Sequence, residues 1–409
     1  MLGSPFSLST SERILPALAL NFTTASLDPR VTITRALNTG TRVNSNGLIE
    51  TINANLPRFD YDPISKICKG LLIEETRIQT ARGSDLMSGW SRSSTTAVAN
   101  VVASPSGVQD ADLIYPASSG NNRQVYTQSS TAPTSGSVAI SVFAATAGLN
   151  WLVIYSLDSI TPVAWFNVAT GVKGTVVAGW TSEIEPYANG FYRCSVVGTA
   201  VSGGYITFGV ANADNSIAVT ANGTNGLYFW GAQCEAGAFK TSYIRNPDIT
   251  NGSSVTRNAD VVSMTGANFS SWWRAGTGLF AASALVYPLT STQPLLQADD
   301  TTADNLVSLR LASANAELYI KATTDQAQIN AGTPTSNTAF RVAGGWATDN
   351  CAAALNAGTL ATDTTATIPT VTQLRLGSNG TNYLNGNISQ VYYWATRGTN
   401  AEIQTFSKL

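Results

Sequence analysis

Short segments in which apolar and polar residues alternate, separated by turns rich in glycine, asparagine and serine, recur along most of this chain. Between residues 135 and 157, for example, Val138, Ile140 and Val142 alternate with alanine and serine. A period of two predicts a strand with one buried face, and short strands at this spacing predict packed antiparallel sheets. Because 44% of the residues are hydrophobic and 12% are charged, disorder is excluded. We therefore predict an all-β fold.

The first part of the chain, residues 1–84, is its most charged region. The dipeptide Asn46-Gly47 stands between two β-like segments, which is a strong hairpin signal. Residues 57–70 contain two prolines and are expected to form a loop. We expect an extended N-terminal arm with a hairpin, too small to bury a core of its own. Such an arm should dock on the following domain or on a neighbouring chain.

Two further parts of the chain each contain a series of short alternating segments. Residues 85–246 predict one antiparallel β-sandwich of the jelly-roll type, and residues 257–409 predict a second sandwich. The intervening residues, 247–256, are rich in threonine, serine and asparagine and are expected to be a linker. Thr399 and Glu402 have the spacing of a capping box, which predicts one short helix near residues 401–406.

An aromatic run, Tyr228-Phe229-Trp230, occupies the last predicted strand of the first sandwich. Side chains alternate along a strand, so Tyr228 and Trp230 should share one face while Phe229 takes the other. We expect one of these faces to pack in the sandwich core. The other face should pack under the following segment, which ends at Tyr243.

Several kinds of chemistry are excluded by the composition. The sequence contains no histidine, which removes Ser-His-Asp and Cys-His catalysis and histidine ligation of metals. Its net charge of −2 gives no indication of binding to nucleic acid or to an anionic membrane. Cys68, Cys194, Cys234 and Cys351 form no Cys-x-x-Cys pair, so we expect buried thiols and no zinc site. A disulfide between Cys194 and Cys234 is the one pairing that the sequence leaves undecided, because both residues lie in the same predicted sandwich. No cofactor is expected.

The uncharged stretch at residues 135–157 is long enough to resemble a membrane span. A Gly-Leu-Asn turn at residues 148–150 divides it, so two sandwich strands explain it better. The apolar run near the N-terminus is short, contains Pro16 and follows Glu12, which is unlike a signal peptide. We expect a soluble protein that is made in a cytoplasm.

Several motifs resemble those of modular bacteriophage virion proteins. The segments LNFTTASLDPRVTITRA and TRVNSNGLIETI are similar to the N-terminal signature of that group. EPYANGFYRCSV and YFWGAQCEAGAFKTSYI resemble the closing half of a carbohydrate-binding-module-like jelly roll. LRLGSN and LNGNISQVYYWATRGTNAEIQ are similar to the end of a concanavalin A-like, laminin-G-like sandwich. The resemblance implies a virion structural protein synthesised in the cytoplasm of a bacterial host.

The resemblance implies a non-enzymatic role on the virion surface. The first expectation is a tail-fibre or receptor-binding component that contacts host surface glycans. The alternative is a capsid decoration or head-fibre protein that stabilises the capsid lattice, and a capsule depolymerase is a more distant alternative. Other virion proteins, bound through the N-terminal arm, are the expected partners. A homo-oligomer is also expected, with a trimer favoured, whereas nucleic acid and membranes are not expected as partners.

The best candidates for glycan binding are Trp272 and Trp273, followed by Arg274. Adjacent tryptophans on an extended backbone point in opposite directions, so both can hardly be buried in one core. An exposed indole would offer a flat apolar face to a sugar, and Arg274 would add a charged contact. Trp346 and Tyr383 lie near predicted loops and are weaker candidates. Packing in the sandwich, on the arm or on a neighbouring subunit is the alternative role for these side chains.

Two groups of carboxylates are candidates for metal binding or catalysis. Asp299, Asp300 and Asp304 supply oxygen ligands of the kind that calcium prefers, but their spacing matches no EF-hand loop. A solvated acidic turn is the favoured interpretation. Glu183 and Glu185 would share one strand face and lie too close together to flank a glycosidic bond. We interpret them as the polar face of an edge strand, and we expect neither a metal site nor an enzyme.

Overall fold

The computed structural model describes residues 15–129, 131–250, 253–287, 289 and 292–409. Strands dominate these residues and pair antiparallel, which confirms the all-β prediction. Short 3-10 turns occur at Phe22–Thr24, Met87–Gly89 and Ala188–Gly190. The strands of the N-terminal segment are β1 (Leu18–Asn21), β2 (Thr32–Thr34), β3 (Gly40–Val43), β4 (Ile49–Ile52), β5 (Phe59–Tyr61), β6 (Cys68–Ile73) and β7 (Arg77–Gln79).

The first sandwich consists of two sheets built from the central part of the chain. One sheet, the junction sheet, has the order β17-β18-β13-β21-β10-β9, and it packs on a second sheet with the order β16-β15-β14-β19-β12-β8. A small separate ladder joins β11 to β20. The strands are β8 (Ser91–Ser93), β9 (Thr95–Ala103), β10 (Gln109–Pro116), β11 (Gly120–Asn121), β12 (Gln124–Gln128), β13 (Ser137–Ala147), β14 (Trp151–Tyr155), β15 (Pro162–Asn167), β16 (Val172–Val176), β17 (Thr181–Pro186), β18 (Tyr192–Thr199), β19 (Tyr205–Ala211), β20 (Ala218–Val219) and β21 (Gly226–Ala236).

The uncharged stretch at residues 135–157 forms β13 and β14, as predicted, and the two strands lie in different sheets of the first sandwich. Ile140 on β13 and Leu152 on β14 are fully buried in the same core, beside Phe166 and Phe208. Within the described ranges, no helix is long and apolar enough to cross a membrane.

The second sandwich contains strands from both ends of the chain. One sheet has the order β31-β30-β29-β24-β33-β6-β5, with β1 also paired to β33, and the other has the order β2-β23-β32-β25-β26-β27-β28. Between the sandwiches, β22 (Val255–Arg257) pairs with β7 in a separate two-stranded ladder. The C-terminal elements of the second sandwich are β23 (Val261–Thr265), α1 (Ala267–Ser270), β24 (Gly278–Val286), β25 (Thr292–Asp299), β26 (Asn305–Ala312), β27 (Asn315–Ala322), β28 (Thr324–Gly332), β29 (Phe340–Ala347), β30 (Asn350–Leu355), β31 (Ala361–Asp363), β32 (Gln373–Leu376), β33 (Gly386–Trp394) and α2 (Asn400–Phe406).

From residue 15 onward, most strands of the N-terminal segment belong to the second sandwich, so the expectation that they dock on the first sandwich holds for the β3–β4 hairpin but not for β1, β2, β5 and β6. Residues 1–14 of the predicted arm lie outside the described residues. β24 pairs with one edge of β33, and the other edge accepts β6 at one end and β1 at the other. Leu18 and Leu20 of β1 enter the core of the second sandwich, as do Leu71 and Ile73 of β6. The short N-terminal strands bury their apolar faces because β33 is long enough to pair with two strands in succession.

The stretch at residues 57–70 is not simply a loop, because it contains β5 and the start of β6, which pair with each other. The hairpin prediction is confirmed by the pairing of β3 with β4. Gly47 adopts a φ of 80° in the turn, where an added Cβ would lie 2.4 Å from the Pro63 carbonyl oxygen. Val43 and Ile49 of this hairpin pack on the outer face of the junction sheet.

The C-terminal helix prediction is also confirmed. α2 begins after Thr399, whose hydroxyl accepts a hydrogen bond from the Glu402 amide at 3.2 Å. The Glu402 carboxylate accepts one from the Thr399 amide at 2.6 Å, which completes the capping box. Ile403 is fully buried against the second sandwich and holds the helix on the sheet.

We expect Leu20→Ala to lower the stability of the second sandwich, because Leu20 is 2% exposed in a core that otherwise comes largely from residues beyond 260. Truncating a buried leucine costs about 2–5 kcal/mol of unfolding free energy. Leu56→Ala is the matched control, since Leu56 is 50% exposed in the same segment. Urea unfolding monitored by circular dichroism measures both variants. Equal small effects of the two substitutions would contradict the integration of β1 into the second sandwich.

Candidate functional site

The backbone at Trp272 and Trp273 is not extended, although the predicted tryptophan platform required an extended backbone. The amides of Trp272 and Trp273 both donate to the Phe269 carbonyl, so this part of the chain is a helical turn that follows α1, not an extended strand. Successive side chains in a helical turn lie about 100° apart. Both indoles therefore turn toward the sandwich: Trp272 is 7% exposed, and Trp273 stacks on Tyr393 at a centroid distance of 5.0 Å.

The other predicted glycan contacts do not form a surface site with this pair. Trp346 is fully buried and stacks on Trp273 at 5.8 Å, as part of the same internal aromatic cluster. Arg274 is exposed, and its backbone amide donates to the Tyr393 hydroxyl at 3.1 Å. Tyr383 is half-buried and packs against the core of the second sandwich from a separate loop. The structure thus brings three of the five residues together, but in the interior.

The aspartates predicted as weak calcium ligands are engaged by protein groups. Asp299 is 1% exposed and accepts hydrogen bonds from Gln297, Gln373 and Arg375. The prediction of a solvated acidic turn is therefore wrong for Asp299, which is buried. Asp304, in contrast, is exposed and pairs with Lys321 at 2.9 Å. Asp300 binds the hydroxyl and amide of the neighbouring Thr302. Across the described part of the chain, no group of three or more histidine, cysteine, aspartate or glutamate side chains is arranged to hold a metal ion.

The cysteines are unpaired thiols, which answers the question about Cys194 and Cys234. Cys194, Cys234 and Cys351 are buried, as expected, and Cys68 is partly exposed. Burial raises the pKa of Cys234 to about 12 and that of Cys351 to about 11, so both thiols stay protonated near neutral pH. These cysteines contribute packing rather than nucleophilic chemistry.

The aromatic run on β21 divides between two faces as predicted. Phe229 lies in the core of the first sandwich, and Tyr228 and Trp230 lie on the outer face of the junction sheet. Trp230 packs on Tyr243 at a centroid distance of 4.7 Å, so residues 237–244 after β21, which we call the return segment, close over this face. Phe143 from β13 completes a contiguous aromatic surface beneath the β3–β4 hairpin.

A group of buried charges, which we call the junction network, connects the N-terminal segment to the linker, which in the structure continues past residue 256 through β22 to Asp260, just before β23. It consists of Arg35, Arg58, Glu74, Arg257 and Asp260. Arg58 is fully buried, pairs with Glu74 at 2.7 Å and also contacts Asp260. Arg35 pairs with Asp260 at 2.8 Å, and Arg257 pairs with Glu74 at 2.9 Å. Burial alone would raise the pKa of Glu74, but Arg257 and Arg58 outweigh it and hold that pKa far below its usual value.

The same network reaches the first sandwich through the return segment that follows β21. Glu74 accepts hydrogen bonds from both the amide and the hydroxyl of Ser242 at 2.7 Å. Gln79 on β7 donates to the Ala232 carbonyl at 2.7 Å and accepts from the Cys234 amide at 2.9 Å. β7 in turn pairs with β22 from the linker. Glu74 therefore binds groups from the N-terminal segment, the linker and the first sandwich at one place.

Glu183 and Glu185 do lie on an edge strand, β17, but both point toward this junction. Lys240 from the return segment bridges them at 2.5 and 3.2 Å. Burial favours the protonated form of Glu185, yet Lys240 and Arg193 outweigh that effect and lower its pKa. Two carboxylates that share one lysine form a structural ion cluster and are not an acid and a base on opposite sides of a sugar.

Beside the junction network lies a cavity of about 150 Å³, which we call the junction cavity. The β3–β4 hairpin, the outer face of the junction sheet, the return segment and the ends of β24 and β33 enclose it. A cavity of about this volume holds one six-membered ring in a well-studied protein. Its wall combines aromatic rings with charged groups: Tyr187, Phe239, Tyr287, Lys69, Arg193 and Lys240.

Two buried N–H donors in the wall of the junction cavity have no acceptor among the described residues. Arg193 is 3% exposed, and its Nη2 donates to the Ser141 hydroxyl at 3.1 Å, but its Nε has no partner. Asn387 is 4% exposed, and its Nδ2 likewise has no partner. A buried donor without an acceptor costs free energy, so such groups favour a ligand that supplies oxygen atoms.

A second cavity of about 280 Å³ lies between the hairpin and the edge of the first sandwich. It shares Thr41, Ile49 and Tyr243 with the junction cavity. Asp110 lies in its wall, and burial raises the pKa of this carboxyl above its usual value. The hairpin thus crosses the junction sheet with a polar and aromatic cavity on each side.

The sequence did not identify Arg193 or Asn387 as candidate site residues. One signal was available, because Arg193 is a charged residue within the predicted strand GFYRCSVVGTA, whose neighbours are mostly apolar. A central strand buried on both faces leaves an arginine without solvent and therefore implies a specific partner. Nothing local marks Asn387, because its environment is created by β6 and the return segment.

No protein-family model matches the sequence, and a search of curated proteins finds no match. Among solved structures, the CBM40 module of the Ruminococcus gnavus IT-sialidase, bound to α2,3-sialyllactose, is 14% identical, with 34% of this chain and 87% of that chain covered at a TM-score of 0.30. The NanB sialidase of Streptococcus pneumoniae is 13% identical, with 35% and 26% covered at 0.30. Mouse laminin α1 domains LG4-5 are 8% identical, with 68% and 88% covered at 0.23. Similarity at these TM-scores carries no argument about family or activity.

We expect Glu74→Gln to destabilise the protein by about 3–5 kcal/mol, because it leaves Arg58 and Arg257 buried without their shared carboxylate. Asp304→Asn is the control, since the Asp304 side chain is 60% exposed and its ion pair is worth less than about 1 kcal/mol. Chemical unfolding at neutral pH measures both.

The same carboxylate sets an acid dependence with a defined sign. The pKa of Glu74 is lower in the folded protein than its ordinary value of 4.5, so its contribution is complete above that value and is lost as the pH falls below it. Melting temperatures measured from pH 7 to pH 3 should therefore fall below about pH 4.5, and less steeply in Glu74→Gln. An equally steep fall in both proteins would contradict this role.

Proposed function

We propose that this chain is a non-enzymatic glycan-binding protein of the bacteriophage virion surface, and that it serves as a tail-fibre or receptor-binding component. One observation carries the glycan part of the proposal. The junction cavity combines aromatic walls, a volume suited to one ring and two buried N–H donors without acceptors. A sugar complements these features, because its C–H face can pack on an aromatic ring and its hydroxyl oxygens can accept hydrogen bonds from the N–H donors.

The side chains at the rim of the junction cavity suit such a ligand. Tyr187 and Tyr287 are half-buried, so each ring is held by the protein while part of its surface stays exposed. The Tyr187 ring is fixed by an edge contact with Phe143 at 4.9 Å. Lys240 lies 5.5 Å from the centre of the Tyr287 ring. Rings that are held in this way contribute contact area with little loss of side-chain entropy on binding.

A non-enzymatic role is favoured by the state of the carboxylates near the cavity. A glycosidase needs one carboxyl with a raised pKa as the acid and a second group on the other side of the bond. Glu185 and Glu74 both line the cavity with lowered pKa values, and each is tied to cationic side chains of the protein. Neither group is available as a proton donor at neutral pH.

A capsid decoration protein remains the second candidate, and one observation favours it. Trp272 and Trp273, which were expected to offer an exposed platform, pack into the second sandwich. The predicted attachment platform is therefore not at the surface, which favours a structural role. In either role we propose a homotrimer, because several copies would raise a weak single-site affinity through effective concentration.

We expect the full chain to bind host surface polysaccharide at about millimolar affinity per site, since one aromatic stack contributes roughly 1 kcal/mol. Tyr287→Ala should weaken binding because it removes a ring from the rim of the cavity. Tyr319→Ala is the matched control, since Tyr319 is half-buried on β27, away from the cavity. Saturation-transfer NMR with the polysaccharide measures all three proteins. Absence of binding by the wild type, or equal losses in both variants, would contradict the proposed site.

The position in the virion is tested by copy number. Quantitative mass spectrometry of purified particles should find a handful of copies if the protein is a tail component. Hundreds of copies would instead support the capsid-decoration alternative. Absence of the protein from purified particles would contradict both virion roles and leave glycan binding to be judged by the NMR experiment.

A further inference from the structure

Most charged side chains around the junction cavity form a direct ion pair within the protein, with one exception. Lysine, arginine and carboxylate side chains in its wall each have an oppositely charged partner within 4 Å: Arg42 with Glu50, Lys69 with Asp60, Lys240 with Glu185, and Glu74 with Arg58. Arg193 also lines the cavity, but across the described ranges no carboxylate oxygen lies within 4 Å of its guanidinium nitrogens. It is the exception that calls for an explanation.

The environment of Arg193 holds the guanidinium in place without a direct ion pair, although the charge of Glu185 acts on it from the neighbouring strand. Arg193 lies opposite Phe143 on β13 and opposite Glu185 on β17 in the junction sheet. The Phe143 ring lies beneath the guanidinium at 5.3 Å, and Ser141 accepts from Nη2. The Glu185 carboxylate, the nearest negative group by strand register, binds Lys240 at 3.2 Å instead. A buried cation is costly unless it is paired, so this arrangement favours an anion from outside the chain.

A second donor restricts what that anion can be. Asn387 on β33 is buried in the same cavity wall, and its Nδ2 has no acceptor among the described residues. The cavity volume of about 150 Å³ suits a single six-membered ring. The tyrosines at the rim, Tyr187 and Tyr287, suit the C–H face of such a ring. A ligand with one carboxylate on a sugar ring satisfies the charge, the donors and the volume together.

We infer that the junction cavity binds a carboxylate-bearing sugar of the uronic acid type, with Arg193 receiving the carboxylate and Asn387 donating to an oxygen of the same residue. This inference rests on the proposed glycan-binding function and specifies its ligand class. A charge-assisted contact to arginine is stronger than a neutral hydrogen bond. The acidic sugar should therefore bind in clear preference to its neutral counterpart of the same stereochemistry.

The experiment compares three small ligands on the full chain by ligand-observed NMR titration: galacturonate, galactose and acetate. Galacturonate should bind at least about tenfold more tightly than galactose, and acetate should bind weakly because it has no ring. Arg193→Gln should remove the preference for the acidic sugar, and Arg193→Lys should keep part of it. Lys173→Gln is the charge-matched control, because Lys173 is exposed on β16 of the other sheet, and it should leave the preference unchanged.

The outcomes separate this inference from the function on which it rests. Equal binding of galacturonate and galactose, or a preference that survives Arg193→Gln, would overturn the acidic-sugar inference and leave glycan binding intact. Acetate binding as tightly as galacturonate would overturn recognition of the sugar ring. If no sugar binds, both proposals fail. Should Arg193→Gln not fold, Asn387→Asp provides the second variant, since its added negative charge should weaken galacturonate binding but not galactose binding.

Discussion

The packing of the two sandwiches against each other depends on the ion pairs of Glu74 with Arg58 and Arg257. A buried carboxylate is stable when cations and hydrogen-bond donors surround it, and Glu74 obtains these from three separate parts of the chain. The N-terminal segment supplies Arg58, the linker supplies Arg257, and the return segment of the first sandwich supplies Ser242. Satisfying this one group therefore fixes the two sandwiches against each other. The junction acts as a small polar core between two larger apolar cores.

The junction cavity is a consequence of that arrangement. The β3–β4 hairpin leaves the second sandwich, crosses the outer face of the junction sheet and packs there on Phe143 and Trp230. Because the hairpin covers part of that face and β33 begins beside it, a polar and aromatic space remains between them. Arg193 and Asn387 come from different sandwiches, so neither sandwich alone would contain the proposed site. Function and interdomain packing are thus linked through the same few residues.

The sequence predicted local structure well because the signals involved act over a few residues. The period of two identified most strands, Asn46-Gly47 identified the hairpin, and Thr399 with Glu402 identified the last helix. Pairings between distant segments were not predictable in this way: nothing in Leu18–Asn21 indicates that β33 is its partner. Trp272 and Trp273 were misjudged because a helical turn was read as extended chain. Residues 1–84 were predicted to be an extended arm without a core of its own, and nothing local showed that Arg35, Arg58 and Glu74 are buried.

The central claim is that the junction is a folded core and not a hinge between two independent domains. Hydrogen exchange, followed by mass spectrometry on peptides that cover residues 74–80, 232–245 and 255–260, tests it most directly. The account predicts that these amides exchange with the same opening free energy as those of β13 and β24, which lie in the two apolar cores. Exchange of the junction peptides at the rate of surface loops, while both cores stay protected, would contradict the account.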